Sequence, residues 1–243
     1  MSKFGLIGKD IGYSFSKSYF TNKFESEGLP HTYQNFDIEC IDKFIDIIKD
    51  IKELKGLNVT IPYKETVIPF LDKLDKKAKE IGAVNTIKIT EDGTLNGYNT
   101  DYYGFKKSIE SYLKKNHKTA LILGTGGVSK AVAYTLKKLG IEYNYVSRTV
   151  SNTATYTYEN ITEEIIENHH IIINCTPLGT YPKTNVCAPI PYDAITESHL
   201  LYDLIYNPEE TKFLTIGKLK GATICNGLEM LELQADKTWK IWN

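Results

Sequence analysis

The sequence predicts an α/β protein with largely parallel sheets, because strand-like and helix-like stretches alternate along its 243 residues. One predicted strand, at residues 119–123, leads into a glycine-rich turn and then into a helix at 128–139. Hydrophobic residues make up 42% of the chain and charged residues 24%, which is typical of globular proteins and excludes disordered, collagen-like and coiled-coil chains. A chain of this length forms one large domain or two small ones.

The first hundred residues contain three strands, at 3–8, 32–37 and 57–61, and a hairpin built from 84–89 and 94–98. Pro62 ends the third strand, and Gly93 lies in the hairpin turn. Helices are predicted from about residue 16, at 40–51 and at 71–81. The helix at 40–51 has apolar residues at the spacing i, i+3, i+4, i+7, namely Ile41, Phe44, Ile45 and Ile48.

The second part of the chain begins near residue 100 with a linking helix predicted at 101–115. The strand at 119–123 and the helix at 128–139 follow, and Gly140 marks the end of that helix. Further strands are expected at 142–146, 171–174, 200–204 and 223–225. A last helix at 228–242 has an apolar face formed by Leu228, Leu231 and Ala235, which either part of the chain could bury.

The charge balance, the hydropathy and the cysteine and histidine spacing exclude several classes of protein. Lysine and arginine total 29 against 30 acidic residues, so a nucleic-acid coat protein is not expected. No apolar run reaches the roughly 18 residues of a membrane span, and the N-terminal residues are too polar for a signal peptide. The cysteines are scattered and the histidines lack ligand spacing. We therefore expect a cytoplasmic, metal-free protein with reduced thiols.

Gly124, Thr125, Gly126 and Gly127 form the turn between strand and helix. In a dinucleotide-binding turn the first glycine permits the tight bend, and the second lets a pyrophosphate approach the backbone. The amides at the start of the next helix then face the phosphates. Ser129 stands where the G-x-G-x-x-G pattern has its third glycine, and a small residue still allows close helix packing. The turn predicts a dinucleotide site, and the alternative is a structural turn that binds nothing.

Arg148 is the single arginine among the 29 basic residues. An NAD site places an acidic residue about 20 positions beyond the turn to hold the ribose 2′-hydroxyl. Here Ser147, Arg148 and Thr149 occupy that place, and none of them is acidic. A guanidinium flanked by two hydroxyls suits a 2′-phosphate, so NADP is the predicted cofactor. The alternative is an ordinary surface arginine.

Polar residues interrupt the first part of the chain where apolar strands end. They are Ser14, Ser16, Asn58, Thr60, Asn85 and Asp101. Asn58 and Thr60 are two positions apart and project from the same face of a strand. Asp101 is either a functional carboxylate or the N-cap of the linking helix. A turn, a cap or a satisfied core amide explains each of these residues singly, but together they predict a polar pocket.

Nine motifs occur in one order along the chain. They are Ser14-x-Ser16, G-x-N-V-T-x-P-x-K at 56–64, A-V-N-T at 83–86, G-x-N-T-D at 97–101, G-T-G-G at 124–127, S-R-T at 147–149, N-C-T-P-L-G at 174–179, Y-D-L-I-Y-x-P at 202–208 and G-L-E-M-L-x-x-Q-A at 227–235. In this order they resemble the shikimate dehydrogenase family over nearly the whole chain. The chain departs from the family pattern at Tyr13, Lys17, Asn152 and Thr180, and the region 150–170 is short.

The resemblance implies the reversible NADPH-dependent reduction of 3-dehydroshikimate to shikimate, in chorismate and aromatic amino acid biosynthesis. It implies a substrate-binding and catalytic domain at 1–101 plus 228–243 and a Rossmann-like NADP-binding domain at 102–227. The C-terminal helix would thereby return to the first domain. Shikimate and 3-dehydroshikimate would be the partners, without nucleic acid or membrane, and the sequence leaves a homodimer open.

The resemblance also implies site residues, matched motif by motif. Lys64 and Asp101 would be the catalytic pair. The substrate-binding residues would be Ser14, Ser16, Asn58, Thr60, Asn85, Tyr206 and Gln234. The cofactor-binding residues would be Gly124, Thr125, Gly126, Gly127, Val128, Ser147, Arg148, Thr149, Thr176, Leu204, Gly227 and Met230. No residue is assigned to a metal.

The residue types of the catalytic pair suit this reaction. Hydride transfer to a ring ketone leaves a developing alkoxide, which needs a proton donor within about 3 Å. The ammonium group of Lys64 would both stabilise that oxygen and donate to it, and the Asp101 carboxylate would favour the charged lysine. The two groups would titrate as a coupled pair. Two alternatives stay open, namely a quinate/shikimate dehydrogenase with broader substrate or NAD use, and a non-catalytic nucleotide-binding module.

Overall fold

The structure, a computed structural model, describes residues 1–12, 14–149 and 154–243. The chain forms two compact units. Met1–Thr100 and Gln234–Asn243 make up the first unit, and Asp101–Leu233 makes up the second. Tyr13 and Asn152, two of the departures from the family pattern, lie outside the described residues. Within the described ranges, no helix is both long and apolar enough to cross a membrane.

The first unit is built on a mixed six-stranded sheet with the order β2-β1-β3-β5-β6-β4. Its strands are β1 (Lys3–Gly8), β2 (Thr32–Asp37), β3 (Leu54–Val59), β4 (Lys73–Leu74), β5 (Thr86–Ile89) and β6 (Leu95–Tyr98). The first three pair in parallel, whereas β5 pairs antiparallel with both β3 and β6. The helices of this unit are α1 (Phe15–Ser26), α2 (Phe44–Asp50) and α3 (Lys76–Ile81).

The second unit contains a six-stranded sheet in which every pair is parallel, with the order β12-β11-β10-β7-β8-β9. Its strands are β7 (Thr119–Leu123), β8 (Glu142–Ser147), β9 (Tyr156–Thr157), β10 (Ile171–Asn174), β11 (Leu200–Asp203) and β12 (Thr223–Cys225). Its helices are α4 (Asp101–Glu110), α5 (Gly127–Lys138), α6 (Glu163–Glu167) and α7 (Lys212–Leu219). When β7–β12 are numbered 1 to 6, the strand order is 3-2-1-4-5-6, the order of a doubly wound dinucleotide-binding fold.

Both faces of the second sheet are buried, which explains its apolar strands. In β7, Ala120 and Ile122 belong to one core, and Leu121 and Leu123 to the other. The order of the sheet reverses between β7 and β10. Ligands of open α/β sheets bind at the carboxyl ends of the strands beside such a switch point.

The last helix, α8 (Leu228–Trp242), begins in the second unit and ends in the first. Its final part covers the first sheet, where Ala235 and Trp242 join a core with Phe4 and Phe20. The Trp242 indole nitrogen donates to the carbonyl of Ile87 at 2.9 Å, and the indole lies where a Cβ on Gly56 would collide with it. The helix thus returns to the first domain, as the resemblance implied. The predicted domain boundary lies before Leu228, whereas the boundary between the two units lies within the helix, between Leu233 and Gln234.

Tertiary pairing overrides the helical pattern predicted at 71–81, and the first part of that prediction is wrong. Lys73–Leu74 instead forms an edge strand that pairs with β6, and the helix begins only at Lys76. The backbone nitrogen of Asp72 donates to Leu95 at 3.0 Å, and its carboxylate accepts from the nitrogen of Leu95 at 2.7 Å. These bonds hold the segment in an extended conformation along the sheet.

Other elements differ from the predictions mainly in length. The helix predicted at 40–51 divides into a 3₁₀ turn at Ile41–Lys43 and α2, and the helix predicted at 101–115 ends at Glu110. The strand predicted at 57–61 begins and ends earlier. The sequence did not predict β9, α6 or α7. β9 and α6 are very short, so the spacing of their apolar residues carries little information.

Candidate active site

The glycine turn follows β7 at the switch point of the second sheet. Gly124 has φ +100°, in the region that favours glycine, and its nitrogen donates to the carbonyl of Val146 at 2.8 Å. A Cβ at this position would lie 3.0 Å from the Cγ2 of Thr176, which follows the neighbouring strand β10. Backbone conformation and close approach therefore both require glycine here.

The turn ends at the N-terminus of α5, with Gly126 as the N-cap. A Cβ on Gly126 would meet no described atom within 4 Å, so open space lies beside its Cα. Ser129 is buried, and its hydroxyl donates to the carbonyl of Gly126 at 2.7 Å. The serine therefore fits the third-glycine position and closes the turn. Thr125 is exposed, while Gly127 and Val128 are half-buried.

The next strand, β8, ends at Ser147, and Arg148 and Thr149 follow it as exposed residues. The nitrogen of Thr149 donates to the Ser147 hydroxyl at 3.2 Å, and that hydroxyl donates to the carbonyl of Thr149. Burial raises the pKa of Tyr158 to about 12, and the charge of Arg148 opposes that rise. Because β8 pairs in parallel with β7, Arg148 stands one strand away from the glycine turn, on the same edge of the sheet.

Thr176, Leu204, Gly227 and Met230 lie beyond β10, β11 and β12 on the other side of the switch point. The hydroxyl of Thr176 donates to the Asn174 side chain at 2.6 Å, and the nitrogen of Leu204 donates to the carbonyl of Asn174 at 3.0 Å. A Cβ on Gly227 would collide with the backbone of Leu204. The fold thus brings the glycine turn, residues 147–149, Thr176, Leu204 and Gly227 to the carboxyl-terminal edge of the second sheet, and Met230 lies in the first turn of the helix that follows Gly227.

Asn85 and Gln234 are joined in the first unit. The Asn85 amide nitrogen donates to Gln234 Oε1 at 3.3 Å and to the Thr100 hydroxyl at 2.9 Å. Its oxygen accepts from the nitrogen of Thr100 at 2.7 Å. Asn85 and Gln234 are both buried. The Gln234 amide nitrogen donates to no side chain or backbone group in the described part of the chain, so it is available for a ligand.

Asn58 is a buried amide within the same network. Its oxygen accepts from the Tyr33 hydroxyl at 2.9 Å, and its nitrogen donates to the carbonyl of Asn85 at 3.2 Å and to the Thr238 hydroxyl at 3.4 Å. Tyr33 also has a hydrogen bond with Ser16, which opposes the rise that burial causes in the pKa of Tyr33. Predicted residues from four separate segments are therefore connected, partly through Tyr33 and Thr238.

Ser14 is the N-cap of α1, where its hydroxyl accepts from the nitrogen of Lys17 and donates to Asn35 Oδ1, both at 3.1 Å. Thr60 follows β3, and its nitrogen donates to the carbonyl of Ile7 at 2.9 Å. These contacts hold both residues beyond the carboxyl ends of neighbouring parallel strands, β1 and β3.

Lys64 is half-buried, and its carbonyl accepts from the nitrogen of Val84 at 2.7 Å, next to Asn85. Asp101 is buried and is the first residue of α4, so its carboxylate belongs to the first helical turn. Tyr206 is 36% exposed, and burial of the rest of the ring raises its pKa. Lys64 belongs to the first unit, and Asp101 and Tyr206 belong to the second. The described residues contain no group of three His, Cys, Asp or Glu side chains that could hold a metal ion.

Comparisons with known proteins agree with these two units. Residues 6–87 match the family described as shikimate dehydrogenase substrate binding domain, and residues 91–186 match the D-isomer specific 2-hydroxyacid dehydrogenase, NAD binding domain. The shikimate dehydrogenase (NADP(+)) of Clostridium beijerinckii is 43% identical, over all of this chain and 92% of that protein. The Methanosphaera stadtmanae protein of the same name is 40% identical, over 98% of this chain and 90% of that protein. The chain belongs to the shikimate dehydrogenase family.

Solved structures of shikimate dehydrogenases have the same fold over the whole chain. The crystal structure of shikimate dehydrogenase 1 from Peptoclostridium difficile has a TM-score of 0.86 at 39% identity, and the match includes all of this chain and 91% of that chain. The Thermus thermophilus enzyme, in complex with NADP(H) and shikimate, has a TM-score of 0.88 at 29% identity and is covered to 94%. Quinate dehydrogenase from Corynebacterium glutamicum, in complex with NAD, has a TM-score of 0.87 at 25% identity and is covered to 93%.

Two residues of the network in this member of the shikimate dehydrogenase family were not among the predicted site residues. Thr238 is fully buried and lies four positions after Gln234 on α8, so helical spacing would have placed it on the same face. Tyr33 lies in β2 among polar and aromatic neighbours, and no sequence signal distinguishes its hydroxyl from the others. Only the tertiary structure, with α1 against this strand and β3 beyond β1 in the same sheet, shows that the Tyr33 hydroxyl joins Ser16 to Asn58.

Proposed function

We propose that this chain catalyses the reversible reduction of 3-dehydroshikimate to shikimate with NADPH, in aromatic amino acid biosynthesis. One observation carries the proposal. A glycine turn that excludes a Cβ lies at the switch point of the second sheet, and the single arginine of the chain follows the adjacent strand. The family membership supports the same activity, an oxidation or reduction at a CH–OH group.

The residues present fit NADP. Gly126 leaves open space beside the turn, and Gly124 allows the tight bend against Thr176. The N-terminus of the twelve-residue helix α5 favours phosphate. Arg148 is exposed at the position where a 2′-phosphate would be recognised, and a planar guanidinium binds phosphate through two parallel hydrogen bonds. Thr176, Leu204, Gly227 and Met230 would contact the other end of the cofactor. When bound, NADPH supplies the hydride.

The first unit would bind the cyclohexene substrate. Ser14 and Ser16 would hold its carboxylate, and Thr60, Asn85 and Gln234 would bind its hydroxyls or carboxylate. The amide nitrogen of Gln234 supports this role because no described group accepts its hydrogen bonds, while its oxygen is fixed by Asn85 at 3.3 Å. Asn58 and Tyr206 would act beside them.

Lys64 and Asp101 would carry out the proton transfer. Lys64 would donate a proton to the alkoxide that forms at the ring carbon, since an ammonium both stabilises and protonates such an oxygen. Asp101 would hold the lysine and favour its charged form during reduction. In the oxidative direction the neutral lysine would accept the proton. The half-buried position of Lys64, beside the backbone of Val84 and next to Asn85, supports this assignment.

A quinate/shikimate dehydrogenase that also accepts NAD is the second candidate, because a quinate dehydrogenase bound to NAD has the same fold. Arg148 favours NADP over NAD, since no acidic residue stands at 147–149 to hold a ribose 2′-hydroxyl. A cytoplasmic location stays a prediction, and the sequence leaves a homodimer open.

The test is steady-state turnover of the purified chain with shikimate and NADP⁺, followed by the absorbance of the NADPH formed. Parallel assays replace shikimate by quinate and NADP⁺ by NAD⁺. Turnover restricted to shikimate and NADP⁺ is expected. Comparable rates with quinate or NAD⁺ would favour the second candidate. NADPH binding without turnover in any combination would contradict the catalytic proposal and indicate a non-catalytic nucleotide-binding protein.

A further inference from the structure

Asp203 is a fully buried carboxylate to which the proposed reaction gives no role. It is the last residue of β11, and it accepts three hydrogen bonds. Its Oδ1 accepts from the Asn174 amide at 3.0 Å and from the nitrogen of Ile205 at 3.0 Å. Its Oδ2 accepts from the Thr211 hydroxyl at 2.6 Å.

The three donors belong to three different parts of the second unit. Asn174 is the last residue of β10, Ile205 lies in the loop after β11, and Thr211 is the N-cap of α7. One carboxylate thus joins a neighbouring strand, its own loop and the following helix at the carboxyl-terminal edge of the sheet.

From Asp203 the contacts continue to residues proposed to bind the cofactor. The oxygen of the Asn174 side chain accepts from both the nitrogen and the hydroxyl of Thr176, at 3.0 and 2.6 Å. The carbonyl of Asn174 accepts from Leu204, and that of Ile205 accepts from Gly227, both at 3.0 Å. Every step of this path is a hydrogen bond.

A carboxylate suits this position and an amide does not. Asp203 faces three donors, and an ionised carboxylate offers acceptors only, whereas an asparagine would direct two N–H groups toward one or more of them. Burial disfavours the charged form of Asp203 and raises its pKa to about 6. A site that needed only packing would be served better by an apolar side chain.

We propose that Asp203 is a positioning residue for the cofactor, which holds Thr176, Leu204 and Gly227 in the arrangement that NADPH requires. It acts through Asn174 and the loop after β11 and does not itself touch the cofactor. The inference rests on the proposed NADP-dependent function.

The test measures NADPH binding to the purified chain by isothermal titration calorimetry, together with the thermal unfolding midpoint. We expect Asp203→Asn to weaken NADPH binding about tenfold, the cost of a lost hydrogen bond to a buried charge. In steady-state assays the KM for NADPH should rise while the KM for shikimate stays near that of the wild type.

A second pair of variants keeps the test valid where Asp203→Asn fails to fold. Thr211→Val removes one of the three donors, and Thr211→Ser keeps the hydroxyl. Thr211→Val should weaken NADPH binding about threefold, and Thr211→Ser should bind like the wild type.

Ser108→Ala is the matched control, because it breaks another buried hydrogen bond on the same strand. The Ser108 hydroxyl lies 2.6 Å from that of Tyr202, whose side chain projects from the opposite face of β11 to Asp203. This variant should unfold at a lower temperature with unchanged NADPH affinity. If Asp203→Asn and Thr211→Val lose only stability, as the control does, the inference is overturned. If the wild type itself binds no NADPH, the proposed function fails instead.

Discussion

The amide nitrogen of Asn85 lies 3.3 Å from the side-chain oxygen of Gln234, although 149 positions separate the two residues along the chain. Asn85 precedes strand β5 of the first unit, and Gln234 lies on the last helix. The contact therefore exists only because α8 returns to the first sheet. It also orients Gln234, since an oxygen held by Asn85 leaves the NH₂ group as the part that can reach a ligand.

Removing the Gln234 amide should weaken substrate binding without affecting the cofactor. We expect Gln234→Ala to raise the KM for shikimate about tenfold, the effect of one lost hydrogen bond in a partly buried site, with little change in the KM for NADP⁺. Glu232→Ala, at an exposed position on the same helix, is the control and should behave like the wild type. Equal effects on both KM values would indicate a general disturbance of α8 and contradict a substrate contact.

Lys64→Ala should lower kcat by at least about 10², because general acid–base catalysis contributes about 10²–10⁴. The KM for shikimate should change little, since the loss concerns the transition state. Steady-state kinetics in both directions checks the expectation. Lys79→Ala removes an exposed lysine on α3 and serves as the control. A kcat near that of the wild type would remove Lys64 from the mechanism.

Arg148→Ala should raise the KM for NADPH and leave that for NADH unmoved, because only NADPH carries the 2′-phosphate. Arg148→Lys keeps the charge but loses the planar fork, so its KM for NADPH should lie between those of the other two proteins. The ratio of kcat/KM values for the two cofactors is the quantity to measure. An unchanged ratio in Arg148→Ala would mean that the arginine is an ordinary surface residue.

The two glycines at either end of the turn should respond differently to alanine. Gly124→Ala combines a positive φ of +100° with a Cβ 3.0 Å from Thr176, so we expect the free energy of unfolding to fall by at least about 1 kcal/mol. Gly126→Ala introduces a Cβ into open space and should leave that free energy close to the wild-type value. Urea unfolding of the three proteins tests this. Similar losses in both variants would contradict the geometry of the turn.

The stability of the protein should depend on pH through Asp203. Burial raises the pKa of Asp203 to about 6, above its value in the unfolded chain of about 3.9. Below about pH 4 the group is protonated in both states and has no effect. As the pH rises, the unfolded chain ionises first, so the wild type loses up to about 3 kcal/mol relative to Asp203→Asn by about pH 7.

Urea unfolding of the wild type and Asp203→Asn between about pH 4 and pH 7 measures this difference. His117, His169 and His199, whose burial lowers their pKa values, titrate in both proteins and cancel in the comparison. A free-energy difference that stays constant over this pH range would show that the pKa of Asp203 is not raised in the folded protein.

The sequence predicted most of the elements that hold the site. The strands at Lys3–Gly8, Thr32–Asp37 and Thr119–Leu123 and the helix at Leu228–Trp242 have the predicted ends, because apolar patterns and glycine or proline breaks are local signals. The glycine turn and Arg148 could be interpreted together since the 24 positions between Gly124 and Arg148 span a single βαβ unit. The segment at 71–75 was misassigned because pairing with β6, a non-local contact, decides its conformation.

Local sequence patterns specify the α/β alternation and the position of the glycine turn, since both depend on neighbours a few positions apart. The motifs supply the residue types of the site. The packed fold is needed to show that β7 and β10 meet at the switch point and that α8 ends on the first sheet. The same packing brings buried polar groups together, as with Tyr33 and Asn58, or Asp203 and Thr211. A hydrogen bond inside a core depends on the distance between two side chains, and only the packing of whole elements sets that distance.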